Sequence, residues 1–437
     1  MIQTIDLRSS TPSAADLATV VPRSLTDVSS ATSIAAVLID DVRARGEAAL
    51  LEQAERLDGV RPPRVGIGAE QIASALQGLD PLVRSALEEA IVRVTAASKS
   101  QLPQGTVTEL APGARVIQRW QPVARVGLYV PGGKAVYPSS VVMNVVPAQV
   151  AGVASVALAS PPQRQFDGAV HPTILAAAAL LGIDEVYAMG GAGAIGALAY
   201  GVPAIGLDPV QVITGPGNVY VAAAKRLVRG VVGIDSEAGP TEILVIADAT
   251  ADARIVAADL VSQAEHDELA AAVLVTDSAE LADAVRVELA AQAAAAQHGA
   301  RVTEALDGVQ SAIVLVADLQ AAAAFSNAYG PEHLEIITAD PEATLDLIDS
   351  AGAIFLGTNS PVSLGDYLAG SNHVLPTGGQ ARFSSGLGAY TFLRPQQVIS
   401  YDREALQAIE QRIVALSEAE DLPAHGAAVS ARFTGGQ

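Results

Sequence analysis

Over residues 34–57 and 69–99, apolar side chains recur at helical spacing among Ala, Leu, Glu and Arg, and the pattern predicts long helices. From residue 122 the texture changes. Short apolar runs (VARVGLYV, SVALAS, EVYAM, VQVIT and GVVGID) alternate with helical stretches. After SEAGP at 236–240 a second series follows: TEILVIAD, AAVLVTD, SAIVLVAD, LEIITAD and AIFLGT. Apolar runs of strand length separated by helices are the mark of βα units, whose parallel strands are covered on both faces. The two series predict an α/β chain with two doubly wound, Rossmann-like parallel-sheet domains. Residues 122–240 read as one domain, inserted into another made of 24–121 and 241–383. An N-terminal arm, 1–23, and a helical C-terminal tail, 384–437, flank them. The Gly- and Ser-rich stretch 365–388 predicts a long loop. The tail has the helical DREALQAIEQRIVALSEAE but too few apolar strand positions for a core of its own. Such short end elements are expected to swap onto a partner in a dimer.

Composition sharpens this picture. At 437 residues the chain can form two or three domains with a sizeable core. Half of it is hydrophobic but only 4% is aromatic, so the apolar bulk is Ala, Val, Leu and Ile. The net charge of −21 argues against nucleic acid or an anionic membrane surface as partner. Residues 135–163 carry no charge, yet Asn144, Pro147, Gln149 and Gly152 interrupt them and Pro161-Pro162 closes them. A buried helix followed by the strand SVALAS is expected there, not a membrane span. The opening MIQTIDLRSS lacks the cationic start and apolar core of a signal peptide, and a soluble cytoplasmic protein is expected. Cysteine is absent, which excludes disulfides, thiolate metal sites and a thiol nucleophile.

Several turns suit a ligand. GAGAIG, Gly191 to Gly196, fits G-x-G-x-x-G between the strand EVYAM and a helix, although tight helix–sheet packing explains it as well. Asp208 is the nearest acidic residue for a ribose, and it comes early. YVPGGK at 129–134 fails as a phosphate loop, because Gly127 is one residue too distant and Ala135 replaces Ser or Thr. TGPGN at 214–218 makes a second turn at a strand's carboxyl end, where open α/β sheets place ligands. In LVSQAEHDELA, Gln263 and His266 are three apart and share a helix face. They could begin a metal site, or be a polar surface pair; Gln is not a usual zinc ligand. Glu332-His333, after YGP at the start of a strand, is a candidate acid/base couple. His171 and His298 have no chemical companions, and no HExxH is present.

Taken in order, VGLYVPGG, TGPGNVYVAAAKR, EAGPTEILVIAD, SQAEHD, GPEHLEI, GDYLAGSNHVLPT and LPAHGAAV resemble the histidinol dehydrogenase family over nearly the whole chain. The resemblance implies oxidation of L-histidinol to L-histidine, the last step of histidine biosynthesis, with two NAD+ and one zinc per site. It implies a homodimer whose tail completes the partner's site. Zinc ligands would be Gln263, His266, Asp366 and His425, and the catalytic pair Glu332 and His333. Substrate contacts would come from these six with Thr241 and Glu420, and NAD contacts from Tyr129 and Asn218. Two departures stand out: Thr241 replaces a frequent Ser, and Gly193 replaces a Gln that contacts NAD in many members.

The four-electron reaction needs two hydride transfers, from alcohol to aldehyde and from aldehyde to acid. Without cysteine, a thiohemiacetal is impossible, so the second hydride must leave an aldehyde hydrate. His333 suits proton removal, because imidazole titrates near neutrality, and Glu332 suits activation of water. Related dehydrogenases act on other polar alcohols such as sulfopropanediol. The carboxylate of Glu420 suits a cationic amine better than a sulfonate. A zinc hydrolase using Glu332 as base would have no use for Tyr129 and Asn218, and Glu332-His333 weighs against a purely metal-binding protein.

Overall fold

The structure, a computed structural model, describes residues 2–10, 12–24, 28–132, 136–237 and 239–434, except for the side chains of residues 28 and 29. Gly133-Lys134 and Ala135 of the failed phosphate loop, and Ala238 of SEAGP, lie outside the described residues. The chain forms two compact units, Met1–Gln101 with Val123–Phe392, and Leu102–Pro122 with Leu393–Gln437.

The first unit contains two parallel sheets. Across the smaller run Val186–Ala188, Ser155–Ser160, Arg125–Tyr129, Val212–Thr214 and Gly233–Ile234. Across the larger run Gln3–Asp6, Ala312–Leu315, Ala271–Thr276, Glu242–Ala247, His333–Ile337 and Ala353–Leu356. Both are wound alike. The first strand of each series is central, the next two lie to one side, and the chain then crosses back to the other. The crossing makes a topological switch point between Arg125–Tyr129 and Val212–Thr214 in one sheet, and between Glu242–Ala247 and His333–Ile337 in the other. Glu242–Ala247, Ala271–Thr276 and His333–Ile337 of the larger sheet are buried at every position, which explains why they read as largely apolar runs. Among the described residues no helix is long and apolar enough to cross a membrane.

The domain boundaries expected from sequence need correction. Residues 3–6 form an edge strand paired with Ala312–Leu315 of the same chain, not a free arm. The helix Val28–Arg45 packs on Gly191–Tyr200 and Val219–Val228, placing it with the smaller sheet rather than the larger. The helices Ala69–Gln77 and Pro81–Ser100 likewise pack on Pro172–Leu180 and Pro138–Ala151. Local chemistry sets the breaks. Gly46 takes a φ of 57° ahead of Glu47–Gln53. Asp80 caps Pro81–Ser100, its Oδ1 accepting from Leu82 N at 2.9 Å and Val83 N at 3.0 Å. The tail is not purely helical. Leu393–Tyr401 is a strand pairing antiparallel with Ala114–Pro122, which pairs with Thr106–Ala111 in the second unit.

One feature of the core is chemically unusual. Glu335 shares a strand face with His333 and is fully buried, with the Asp259 carboxyl as a hydrogen-bonding neighbour. Burial, and then the Asp259 carboxyl beside it, push Glu335 well above the usual carboxylate range; burial raises Asp259 as well. The folded pair thus keeps a proton that the unfolded chain loses. That stability is fully present below the ordinary carboxylate range. It declines as pH rises toward Glu335's elevated value, by at most about 1.4 kcal/mol per pH unit. Glu335→Gln keeps a donor for Asp259 and removes the titration. It should flatten the fall in Tm between about pH 6 and about pH 8, and an unchanged slope would contradict the shared proton.

Candidate active site

A cavity of about 1530 Å3 opens in the first unit, lined from both sheets. That exceeds the roughly 300–1,000 Å3 of a common small-molecule pocket and leaves room for a dinucleotide beside a small substrate. Seven of the expected site residues line it: Tyr129, Asn218, Thr241, His266, Glu332, His333 and Asp366.

The wall from the smaller sheet is built at the carboxyl ends of its switch-point strands. Tyr129 ends its strand, is buried, and accepts through its hydroxyl from Gly191 N at 3.1 Å. Burial pushes its phenol up to about 12, so it stays neutral. Asn218 caps the helix Val219–Val228, its Oδ1 accepting from Tyr220 N at 3.0 Å and Val221 N at 3.2 Å. The preceding turn requires Gly215, whose φ is 113° and whose Cβ would lie 1.9 Å from the Tyr129 carbonyl oxygen. Lys225 and Asp235, not singled out in the sequence, grip this turn. Lys225 Nζ donates to Gly215 O and Asp235 Oδ1, each at 2.5 Å, and Gly215 N donates to Asp235 Oδ2 at 2.8 Å. Only Lys225, buried beneath an apolar turn, hints at this role in the sequence.

Gly193 lies inside the helix Gly191–Tyr200. A Cβ there would sit 2.1 Å from Gln53 Oε1, so Gln53 fills the space that a side chain at 193 would need. Asp208 does not meet the ribose expectation. Its carbonyl accepts from Arg125 Nε, at the amino end of the first strand and away from this wall.

The opposite wall is built at the amino ends of the larger sheet's switch-point strands. This inverts the usual placement of ligands in open α/β sheets. Glu332 precedes, and His333 begins, the strand His333–Ile337; Thr241 precedes Glu242–Ala247. Both members of the couple are buried, 6% and 5% exposed. Glu332 Oε2 accepts from Thr241 Oγ1 at 2.6 Å and from Glu242 N at 2.9 Å. His333 Nδ1 lies 3.0 Å from Glu242 O, so it carries the proton and leaves Nε2 as the acceptor. One peptide residue therefore aims both side chains. Glu242 is itself anchored. Its buried carboxyl pairs with Arg23 and accepts from Gly378 N at 3.2 Å, while Arg23 stacks 3.9 Å from the centre of the Tyr329 ring.

The expected metal ligands arrive on separate segments. The helix Ala253–Ala264 returns from the central strand to the amino-end side and brings Gln263 in its last turn, with His266 just beyond. Gln263 is buried and donates through Nε2 to Thr241 Oγ1 at 2.5 Å, leaving its carbonyl oxygen as the acceptor end. His266 turns Nδ1 toward the carbonyls of Ser262 and Gln263, both at 3.2 Å, leaving Nε2 unencumbered. Asp366, in Val362–Tyr367, is braced by His373, whose Nδ1 is 3.2 Å from Asp366 O and whose Nε2 is 3.0 Å from Ser140 Oγ. Burial keeps His373 below its ordinary pKa, and so neutral. These donors suit zinc in type, with an imidazole nitrogen, a carboxylate and an amide oxygen. Among the described residues, however, no three His, Asp or Glu side chains gather as a metal site. Glu420, at the end of Glu410–Ala419, and His425, in Pro423–Ser430, belong to the second unit, where both are exposed.

The model of the histidinol dehydrogenase family matches residues 21–433. This chain belongs to that family. It is 69% identical over 432 residues to a histidinol dehydrogenase of Leifsonia xyli subsp. xyli, covering 99% of both chains. It is 58% identical over 433 residues to that of Thermobifida fusca, covering 99% of this chain and 98% of the other. The crystal structure of histidinol dehydrogenase from Elizabethkingia anophelis superposes with a TM-score of 0.92 at 32% identity, covering 99% of this chain and 98% of that one. Histidinol dehydrogenases are NAD-dependent oxidoreductases, and the two Rossmann-like sheets agree with that class.

Proposed function

We propose that this chain oxidises L-histidinol to L-histidine through L-histidinaldehyde with two NAD+, the last step of histidine biosynthesis. The observation that carries this reading is the Glu332-His333 couple, aimed from one peptide residue into the cavity that Tyr129 and Asn218 line from the other side. Bound NAD+ supplies the hydride acceptor. His333 Nε2 takes the carbinol proton. Glu332, held through Oε2, uses its other oxygen to draw a proton from the water that adds to the aldehyde. As that water adds, His333 returns its proton to the aldehyde oxygen; it then takes the hydroxyl proton of the hydrate while Glu332 releases its own to solvent, and the chain's lack of cysteine leaves no thiol route.

Gln263, His266 and Asp366 would hold a zinc ion, which would supply orientation of the substrate as a Lewis acid. His425, and Glu420 for the substrate, would arrive on the tail of a second copy. Chelation should abolish NADH formation from L-histidinol, and zinc should restore it. Full turnover by verified metal-free protein would remove the metal from the account. The shared site predicts complementation: His333→Asn and His425→Ala chains, each nearly inactive, should regain activity when refolded together. Demonstrated heterodimers without activity would put His425 back in its own chain's site.

A further inference from the structure

Asp58 ends the π-helical turn Ala54–Asp58, far in sequence from either βα series, yet it lines the cavity at the smaller sheet's carboxyl-end wall. Its Oδ2 lies 3.4 Å from where a side chain on Gly190 would begin. Gly190 follows the edge strand Val186–Ala188 and precedes the helix Gly191–Tyr200, so Asp58 stands at the carboxyl ends of the sheet, on the side of Tyr129 away from the switch point. Among the described residues no protein donor meets the Asp58 carboxylate. Burial pushes it up to about 6. Of the cations of this segment, Arg56 also lines the cavity and acts on Asp41. Arg164 Nε donates to the Asp58 carbonyl at 3.1 Å, and Arg61 pairs with Glu55 at 3.1 Å. A second acceptor comes from the same stretch. Gln53 is 5% exposed, lines the cavity, and its Oε1 against Gly193 has no donor.

An unpaired carboxylate beside a glycine turn calls for a ligand rich in donors and tolerates no added anion. We propose that Asp58 binds the vicinal hydroxyls of the adenosine ribose and makes the site selective for NAD+ over dinucleotides bearing a 2′-phosphate. In dinucleotide-binding sheets an acidic residue usually plays this part from about twenty residues past the glycine turn. Here the carboxylate is delivered instead by the N-terminal helical segment, and Gln53 closes the wall behind it over a glycine that leaves it room.

This inference rests on the proposed placement of NAD+ at the smaller sheet. The test compares wild type, Asp58→Asn and Asp58→Ser for KM and kcat with NAD+ and NADP+, at saturating L-histidinol. Wild-type turnover with L-histidinol and NAD+ secures the functional reading independently of the variants. Both variants should raise the KM for NAD+ about tenfold, equivalent to about 1.4 kcal/mol, with most of the loss in KM rather than kcat. Asp58→Ser should also narrow the NAD+/NADP+ preference in kcat/KM by tenfold or more. The KM for L-histidinol and the thermal transition report whether the fold and the substrate side are intact. An unchanged NAD+/NADP+ preference in folded variants would overturn the proposal. So would a loss confined to kcat, or one shared equally by both nucleotides.

Discussion

Glu332→Gln is expected to slow oxidation of L-histidinaldehyde by about 10²- to 10⁴-fold, the usual range for losing a general base, while oxidation of L-histidinol to the aldehyde falls far less. The asymmetry follows from the hydrogen bonds. Glutamine keeps the shape of Glu332 and can still accept from Thr241 Oγ1 and Glu242 N, so the strand ends should stay in register. It cannot take a proton from water, and only the aldehyde step needs water. Rapid mixing of each substrate with enzyme and NAD+ separates the two hydride transfers. A variant slowed only in the alcohol step would reverse the assigned role.

His333→Asn should cost both steps about 10²- to 10⁴-fold, because each begins with removal of a hydroxyl proton. Asparagine can still donate to Glu242 O, so the loss should appear in kcat while Tm changes little. The nearby aromatic Phe355, whose ring centre is 6.1 Å from that of His333, limits how far a replacement can swing. Comparable rates for wild type and variant with L-histidinol, at saturating NAD+, would remove His333 from the chemistry.

The legible parts of the fold are those where burial imposes a pattern. Glu242–Ala247 and Ala271–Thr276 read as strands because they are covered on both faces. The edge strand Gln3–Asp6 is mostly exposed, and the tail strand Leu393–Tyr401 is exposed or half-buried throughout, so neither carries an apolar run to read. Domain membership failed at 28–101 for a related reason. An amphipathic helix shows that it has an apolar face, not which sheet receives it. The candidate site divides in the same way. Glu332-His333 is contiguous and visible as a couple. Gln263 and His266 end one helix and Asp366 lies in another, about a hundred residues on, so only the resemblance to known motifs joins them in the sequence. Asp58 reaches Gly190 across more than a hundred residues, and no local spacing announces it; the Lys225–Asp235 brace is closer in sequence but shows only in the folded turn. The placement of the Glu332-His333 couple at amino ends rather than carboxyl ends is also invisible until strand order is known.

The most direct test counts NADH formed per L-histidinol consumed, by wild type and by His333→Asn, with the product identified by chromatography. Two NADH and one L-histidine per L-histidinol from wild type, with turnover nearly lost in the variant, is the predicted result. One NADH with accumulating aldehyde, or full turnover without His333, would contradict a single cavity that carries out both oxidations.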